Sequence, residues 1–373
     1  MFKFKGDFTL KTTFKSVLAT STVLLAGIAL TACSGAKQNG SSNSNKKSSA
    51  SVALITDIAG VDDHSFNESG WKGMVAYGKS QGLKRGTNGY QYFESSSASD
   101  FTPNINQAIN AGYKTIFGVG YSLKTAIASA AKKNPKKNFV IIDDVIKGQK
   151  NVASANFRSQ DASYMAGVLA ARTTKTNVVG FIGGVHGDIV DLFDAGFTKG
   201  VQDTAKKMGK KITVLNQYVG SFTAADKEKS IAKAMFAKKA DVIFHASGSA
   251  GQGLFSEAKS IDEGLSANSS KKVWAIGVDS DQSNLGKYKS KDGKSSNLCL
   301  TSVMTGVNVA VKDIATKAAK GKFPGGKQLV YGLKHNGVYL TRGYASASVW
   351  KQVQAARTDI LNGKIKVPSH PSK

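Results

Sequence analysis

The sequence predicts an α/β protein made of two similar doubly wound parallel-sheet lobes joined by a hinge. Three observations carry this. Short apolar runs alternate with amphipathic stretches at the spacing of strand–helix–strand units, which signals parallel sheets built from right-handed crossovers. About ten such runs occur, more than one doubly wound sheet of ordinary size uses. The two halves also resemble each other. Val52-Ala-Leu-Ile-Thr before a polar loop is echoed by Val178-Val-Gly-Phe-Ile before Gly183-Gly184, and Thr115-Ile-Phe-Gly is echoed by Asp241-Val-Ile-Phe.

The first 50 residues stand outside that pattern. Lys3, Lys5, Lys11 and Lys15 form a basic leader, and Ser16 to Leu30 is apolar but short for a membrane span. Leu30-Thr31-Ala32-Cys33 follows, a small-residue cleavage site with Cys at the first mature position. This order resembles the lipobox of bacterial lipoproteins, which implies a signal peptide over 1–32 and acylation of Cys33. Residues 33–50 are rich in Ser, Asn, Gly and Lys and read as a flexible tether.

From there the elements run in order. Val52 to Ile55 is a buried strand, and helix-like sequence follows the loop that ends at Phe66-Asn67. Strands are expected at 90–94, 115–119, 138–143 and 152–157, with helices at 101–111 and 122–133 between them. Pro103 fits the first turn of its helix. Helix 160–172 leads to the second half, with strands at 178–183, 212–218, 241–244 and 273–278 and helices at 188–208, 223–238 and 251–264. A strand at 298–303 and a helix at 305–320 complete the pattern. The expected domains are 51–157 for the N-terminal lobe, 158–278 for the C-terminal lobe, 279–323 returning to the first, and 324–373 returning to the second with the tail.

The chain has 373 residues, 41% of them hydrophobic and 20% charged, which is a globular composition. A net charge of +26 raises the possibility of a nucleic-acid partner, but the lysines are scattered in pairs such as Lys132-Lys133 and Lys210-Lys211. Arginines, which supply base and phosphate forks, are few. No nucleic acid is therefore expected, and the cationic surface faces solvent. Cys299 sits in an apolar run and reads as a buried hydrophobe without a disulfide partner. His64, His186 and His245 lack metal-ligand spacing, and neither a metal nor a cofactor is expected.

Ligands of parallel α/β sheets sit at the carboxyl ends of strands and between lobes. Strand ends here offer Asp57 and the loop to Asn67, Gly118 to Tyr121, Asp143-Asp144, Gly183 through Phe193, Ser247-Gly248 and Asp279-Ser-Asp281. Carboxylates accept pairs of hydroxyl hydrogens, and Phe66 and Phe193 can stack on a flat ring. The set suits a sugar joined to a base, or a plain sugar. Asp62 and Asp63 fit loop and helix-capping roles better than ligand contacts.

The motifs ITD-IAGVDDHSFNESGW, VIIDD, NFRSQDASYMAGVLA, VGFIGG, FDAGF, DVIFHASGSAGQG and WAIGVDSDQ together resemble the basic membrane protein family of ABC-transporter substrate-binding lipoproteins, in particular its purine nucleoside receptors. The resemblance runs from Val52 to Gly332 and implies a periplasmic-binding-protein-like fold of type I. It also implies a purine sandwiched between Phe66 and Phe193, a base edge read by Asn67 and by Asp143 or Asp144, and a ribose held by Asp279 and the Gly248 backbone, with Asp57 at the cleft wall. Thr305 stands where many members carry Lys. What is expected is a monomeric, membrane-anchored extracytoplasmic receptor that passes a nucleoside, with a purine base, to an ABC permease and catalyses nothing. The alternatives are a receptor for a sugar or other polar solute, and a nucleoside hydrolase.

Overall fold

The computed structural model describes residues 50–371; the expected signal peptide, Cys33 and nearly all of the tether lie outside them. Two six-stranded sheets dominate the described residues. The first contains β1 (Val52–Ile55), β2 (Tyr90–Phe93), β3 (Thr115–Val119), β4 (Asn138–Ile142) and β5 (Val152–Phe157). Helices α1 (Phe66–Ser80), α2 (Phe101–Asn110) and α3 (Lys124–Lys133) connect its strands. After α4 (Ser159–Thr173), the second sheet begins with β6 (Val178–Gly183), β7 (Thr213–Tyr218), β8 (Val242–Ala246) and β9 (Trp274–Val278). Its helices are α5 (Asp188–Lys207), α6 (Ala225–Ala237) and α7 (Gln252–Glu263).

The remaining chain holds the hairpin β10 (Lys287–Lys289) and β11 (Ser295–Asn297), then β12 (Cys299–Thr305), α8 (Val307–Ala319), β13 (Gln328–Tyr331), β14 (Val338–Leu340) and α9 (Ala347–Leu361). The strand orders are β13-β5-β4-β3-β1-β2 and β14-β12-β9-β8-β6-β7, so the two sheets match position for position. Every pairing within them is parallel except β12 with β14. Central strands such as VALI and TIFGV are buried along their whole length, as expected of a sheet covered by helices on both faces.

The sequence places the return to the first lobe at Asp279, and the structure corrects that boundary. Residues 299–305 pair with β9, so the chain stays in the second lobe until Gly306. It then returns through α8, which lies on α1 so closely that a Cβ on Gly73 would sit 2.5 Å from the Asn308 carbonyl oxygen. Likewise, β13 at 328–331 still belongs to the first sheet, beside β5, and only β14 and α9 return to the second. An apolar run shows that a strand is central but not which sheet it joins.

In the second lobe, α4 packs against α5, α9 and strands of the second sheet and is buried along nearly its entire length. Gly196 and Gly200 of α5 let the two helices meet backbone to backbone, because a Cβ at either position would fall within 2.2 Å of the Gln160 or Tyr164 carbonyl oxygen. No helix among the described residues is long and apolar enough to cross a membrane.

Candidate functional site

The loop from Asp57 to Phe66 is organised by one carboxylate. Asp63 Oδ1 accepts the Ser65 and Glu68 backbone N–H groups at 2.8 and 3.0 Å, and its Oδ2 accepts that of Asn67 at 2.8 Å. These are orphan donors of the first turn of α1, so Asp63 caps that helix. Asn67 completes the frame: its Nδ2 donates to Asp57 Oδ1 at 2.7 Å and to Asp63 Oδ2 at 3.0 Å, while its Oδ1 accepts the Asp57 N–H at 3.1 Å. The Asn67 amide is therefore spent on the loop, and it is absent from the cavity lining where a base-reading amide was expected.

That cavity lies between the two sets of strand ends and, counted together with the solvent at its mouth, holds about 590 Å³ of unfilled space. Phe66, the first residue of α1, and Phe193, on the second turn of α5, both line it, one from each lobe. Asp57, Asp143, Gly248 and Asp279 line it as well. Phe193 is buried and backed by Phe244 at 6.4 Å, whereas Phe66 is half-buried.

Asp143 and Asp279 occupy the same position in the two lobes. Each follows the strand that matches in order, β4 or β9, and each has φ of 63°. Each also donates its N–H to the next strand, to Ala155 O at 2.9 Å and Val303 O at 2.8 Å. The left-handed turn lifts both carboxylates out of their sheets toward the cavity, a conformation that aspartate tolerates better than most residues. Asp279 is held: its Oδ2 accepts the Ser65 hydroxyl at 2.7 Å, across the lobes. Asp143 is 9% exposed, and its carboxylate accepts no hydrogen bond from any described residue. Burial, with Asp279 and Asp144 adding negative charge, holds its carboxyl well above the usual carboxylate range. Burial also pushes Asp57 and Asp279 up to about 6, opposed at Asp57 by the Ala59 N–H and the Asn67 amide and at Asp279 by the hydroxyls of Ser65 and Thr305.

The two neighbouring aspartates point different ways. Asp144 turns outward to Lys124 Nζ at 2.7 Å and does not line this cavity. Thr305 ends β12 beneath the site, fully buried, and is likewise outside the lining. Tyr121, 39% exposed and at one of the strand ends that the sequence singles out, lines the cavity and meets edge-on at 6.3 Å the ring of Phe222, a lining residue that the sequence reading missed. Phe222 follows β7 just as the other lining residues follow their strands, so the strand-end rule applied to that strand would have found it.

Behind Gly248, His245 is completely buried, with Nδ1 at 3.0 Å from Ser247 Oγ and Nε2 at 2.8 Å from Gln282 Oε1. Gln282 Oε1 can only accept, so Nε2 carries the hydrogen and Nδ1 accepts from the serine. Burial pushes His245 down to about 4, which keeps it neutral. Gln282 Nε2 in turn donates to His64 O at 3.1 Å, and Ser280 Oγ donates to Ser65 O at 3.0 Å, so three hydrogen bonds tie the 279–282 turn to the first lobe. No group of metal-binding residues occurs among the described residues.

Comparison with known proteins agrees with this architecture. The model of a family described as ABC transporter substrate-binding protein PnrA-like (Bmp) matches residues 50–370. The chain is 48% identical to the ABC transporter nucleoside-binding protein BmpA of Lactococcus lactis, over 95% of this chain and 99% of that one. It is 43% identical to a CD4+ T-cell-stimulating antigen of Listeria monocytogenes, over 95% of this chain and 98% of that one. Identity to basic membrane protein A of Borreliella burgdorferi is 30%, over 93% and 94% of the two chains. Among solved structures, an ABC transporter solute-binding protein of Aeropyrum pernix shares the fold with a TM-score of 0.72 at 21% identity, covering 86% of this chain and 94% of that one. With two matched sheets, a cavity at their strand ends and relatives along its whole length, the chain belongs to the Bmp family of ABC transporter substrate-binding proteins and is not an enzyme.

Proposed function

We propose that this protein is a lipid-anchored extracytoplasmic receptor that closes its two lobes over a nucleoside, with a purine base, and delivers it to an ABC permease. The observation that carries this reading is the pairing of Phe66 and Phe193, one from each lobe, along a single cavity that also holds buried carboxylates. Two aromatic rings, one from each lobe, suit a flat heterocycle, and carboxylates suit the donors of a base edge and a ribose diol. Asp143 is assigned to the base edge because its acceptors are unfilled; Asp279 and the Gly248 backbone are assigned to the ribose. Asp57 forms the wall, and Asn67 acts through Asp57 and Asp63 rather than on the ligand. The name of the lactococcal relative points to the same ligand class. Acylation at Cys33 supplies the anchor.

Calorimetric titration against adenosine, guanosine, uridine and ribose tests the ligand. Tight binding of purine nucleosides with little affinity for ribose is expected. Binding of ribose as tight as that of any nucleoside would overturn the assignment in favour of a sugar receptor.

A further inference from the structure

A second cavity adjoins the first and, counted together with the solvent at its mouth, holds about 920 Å³ of unfilled space. The two chambers meet at Tyr121, Asp143, Ile189 and Val190, which line both. Phe66, Phe193, Gly248 and Asp279 line only the inner one. The outer chamber therefore opens on the side of the site where Asp143 stands, not on the side formed by Gly248 and Asp279.

Its walls differ from those of the inner chamber. Phenylalanines give way to aliphatic side chains from both lobes: Val145, just after β4, and Val185, Ile189 and Val190, at the start of α5. Tyr121 adds a ring that is 39% exposed. Gly187 widens the space further, since a Cβ built there would meet no atom within 4 Å. Its φ of 161° is extended backbone open to any residue, so the room it leaves is not a by-product of a turn that only glycine can make.

Asp143 spans the junction, buried and with no side-chain hydrogen-bond donor among the described residues. Such an acceptor takes a donor from the base edge, and an exocyclic amine offers two hydrogens. One is enough for Asp143. A group that replaces the other leaves the base at the junction and enters the outer chamber, where the aliphatic walls remove its carbons from water.

We propose that the outer chamber is a subsite for an apolar substituent on the exocyclic amine of the base, so that the receptor takes base-modified nucleosides as well as plain ones. This rests on the nucleoside reading and adds to it a second class of ligand and the residues that admit it. Asp143 fixes the amine at the boundary, Val145 and Ile189 flank the substituent from the two lobes, and Gly187 sets how large it can be.

The test is calorimetric titration of the full chain with adenosine, 6-benzylaminopurine riboside and 3′-O-benzyladenosine, which carry the same group at opposite ends of one nucleoside. The 6-benzylamino compound should bind within about tenfold of adenosine or more tightly, because its ring is accommodated and desolvated. The 3′-O-benzyl compound should bind at least about 100-fold more weakly than adenosine, because its ring is carried to Asp279 and Gly248, where no second chamber opens. In Gly187→Phe, whose side chain occupies the outer chamber, adenosine should keep its affinity while the 6-benzylamino compound loses at least about tenfold relative to it. Val145→Trp, which fills the chamber from the other lobe, should repeat that loss. A 6-benzylamino compound bound more than about tenfold weaker than adenosine in the parent would overturn the subsite and leave the nucleoside reading standing. So would a 3′-O-benzyl compound bound as well as its 6-benzylamino isomer, or an unmoved ratio in both folded variants. If no nucleoside bound, both would fall.

Discussion

The two lobes repeat one strand order, yet they hold their equivalent carboxylates in opposite ways. Asp279 is fastened to Ser65 of the facing lobe, whereas Asp143 has no side-chain hydrogen-bond donor among the described residues. The difference continues into the flanking helices. Asn104, the fourth residue of α2, donates to Glu94 O at 2.9 Å and Ser95 Oγ at 3.0 Å. Glu228, the fourth residue of the matching α6, is completely buried, and among the described residues neither of its carboxyl oxygens has a hydrogen-bond partner in good geometry, the Ser247 hydroxyl offering only weak relief. A duplicated scaffold can thus carry a satisfied polar group on one side and an unsatisfied one on the other. The unsatisfied groups are where ligand or protons have the most to change.

Glu228 should give the largest effect. Burial raises its carboxyl from the usual glutamate value to about 8, so between about pH 4.5 and 8 the folded chain binds a proton that the unfolded chain releases. Stability therefore falls as pH rises through that window and levels off above it. Glu228→Gln, neutral throughout, should match the parent at pH 5 and exceed its stability by on the order of 4 kcal/mol at pH 9, by urea unfolding. Equal pH profiles for the two proteins would show that Glu228 is not the source.

The aromatic pair should divide next. Phe193 is core on one side and cavity on the other, so Phe193→Ala should cost about 3 kcal/mol of stability and Phe66→Ala distinctly less. Both should weaken nucleoside binding, each by about 1–3 kcal/mol, the range for a base stacked on an aromatic ring. Unchanged affinity in either folded variant would exclude the sandwich.

Asp143→Asn, which keeps a residue that tolerates the left-handed turn, should weaken nucleoside binding by about 1.5–3 kcal/mol, as for a hydrogen bond to a charged group, without loss of stability, because the fold makes no use of its carboxylate. Ser65→Ala should have the smallest effect, about 1 kcal/mol of stability, since it removes one hydrogen bond between the lobes. A larger stability loss for Asp143→Asn than for Ser65→Ala would invert the assignment of free and fastened carboxylates.

Much of this architecture is legible in the sequence because the central strands are continuous apolar runs and the helices between them are amphipathic. The short elements are not. KYK, SSN and VYL are strands of three residues whose pairing depends on tertiary neighbours, not on their own composition. The last helix carries Val349, Val353, Ala356 and Ile360 at helical spacing and is readable by the same rule as the others. At the site, residue types at strand ends locate Asp57, Phe66, Asp143, Phe193, Gly248 and Asp279 on one cavity. They do not distinguish Asn67, which faces inward to its own loop, from a residue facing the ligand. That outcome depends on which hydrogen bonds the loop closes on itself, and only coordinates specify them.

The discontinuity of the first lobe has a consequence for assembly. Its sheet lacks its outer strand until residue 331 has been made, and α8, which covers α1, arrives only after the second sheet has received β12. The lobe that begins first at the N-terminus is thus completed late. Contacts between α1 and α8 span more than 200 residues, so loop closure has to precede their gain. A nascent chain halted before Gly306 would therefore expose the apolar face of α1, and both lobes should reach their native state together near the end of synthesis.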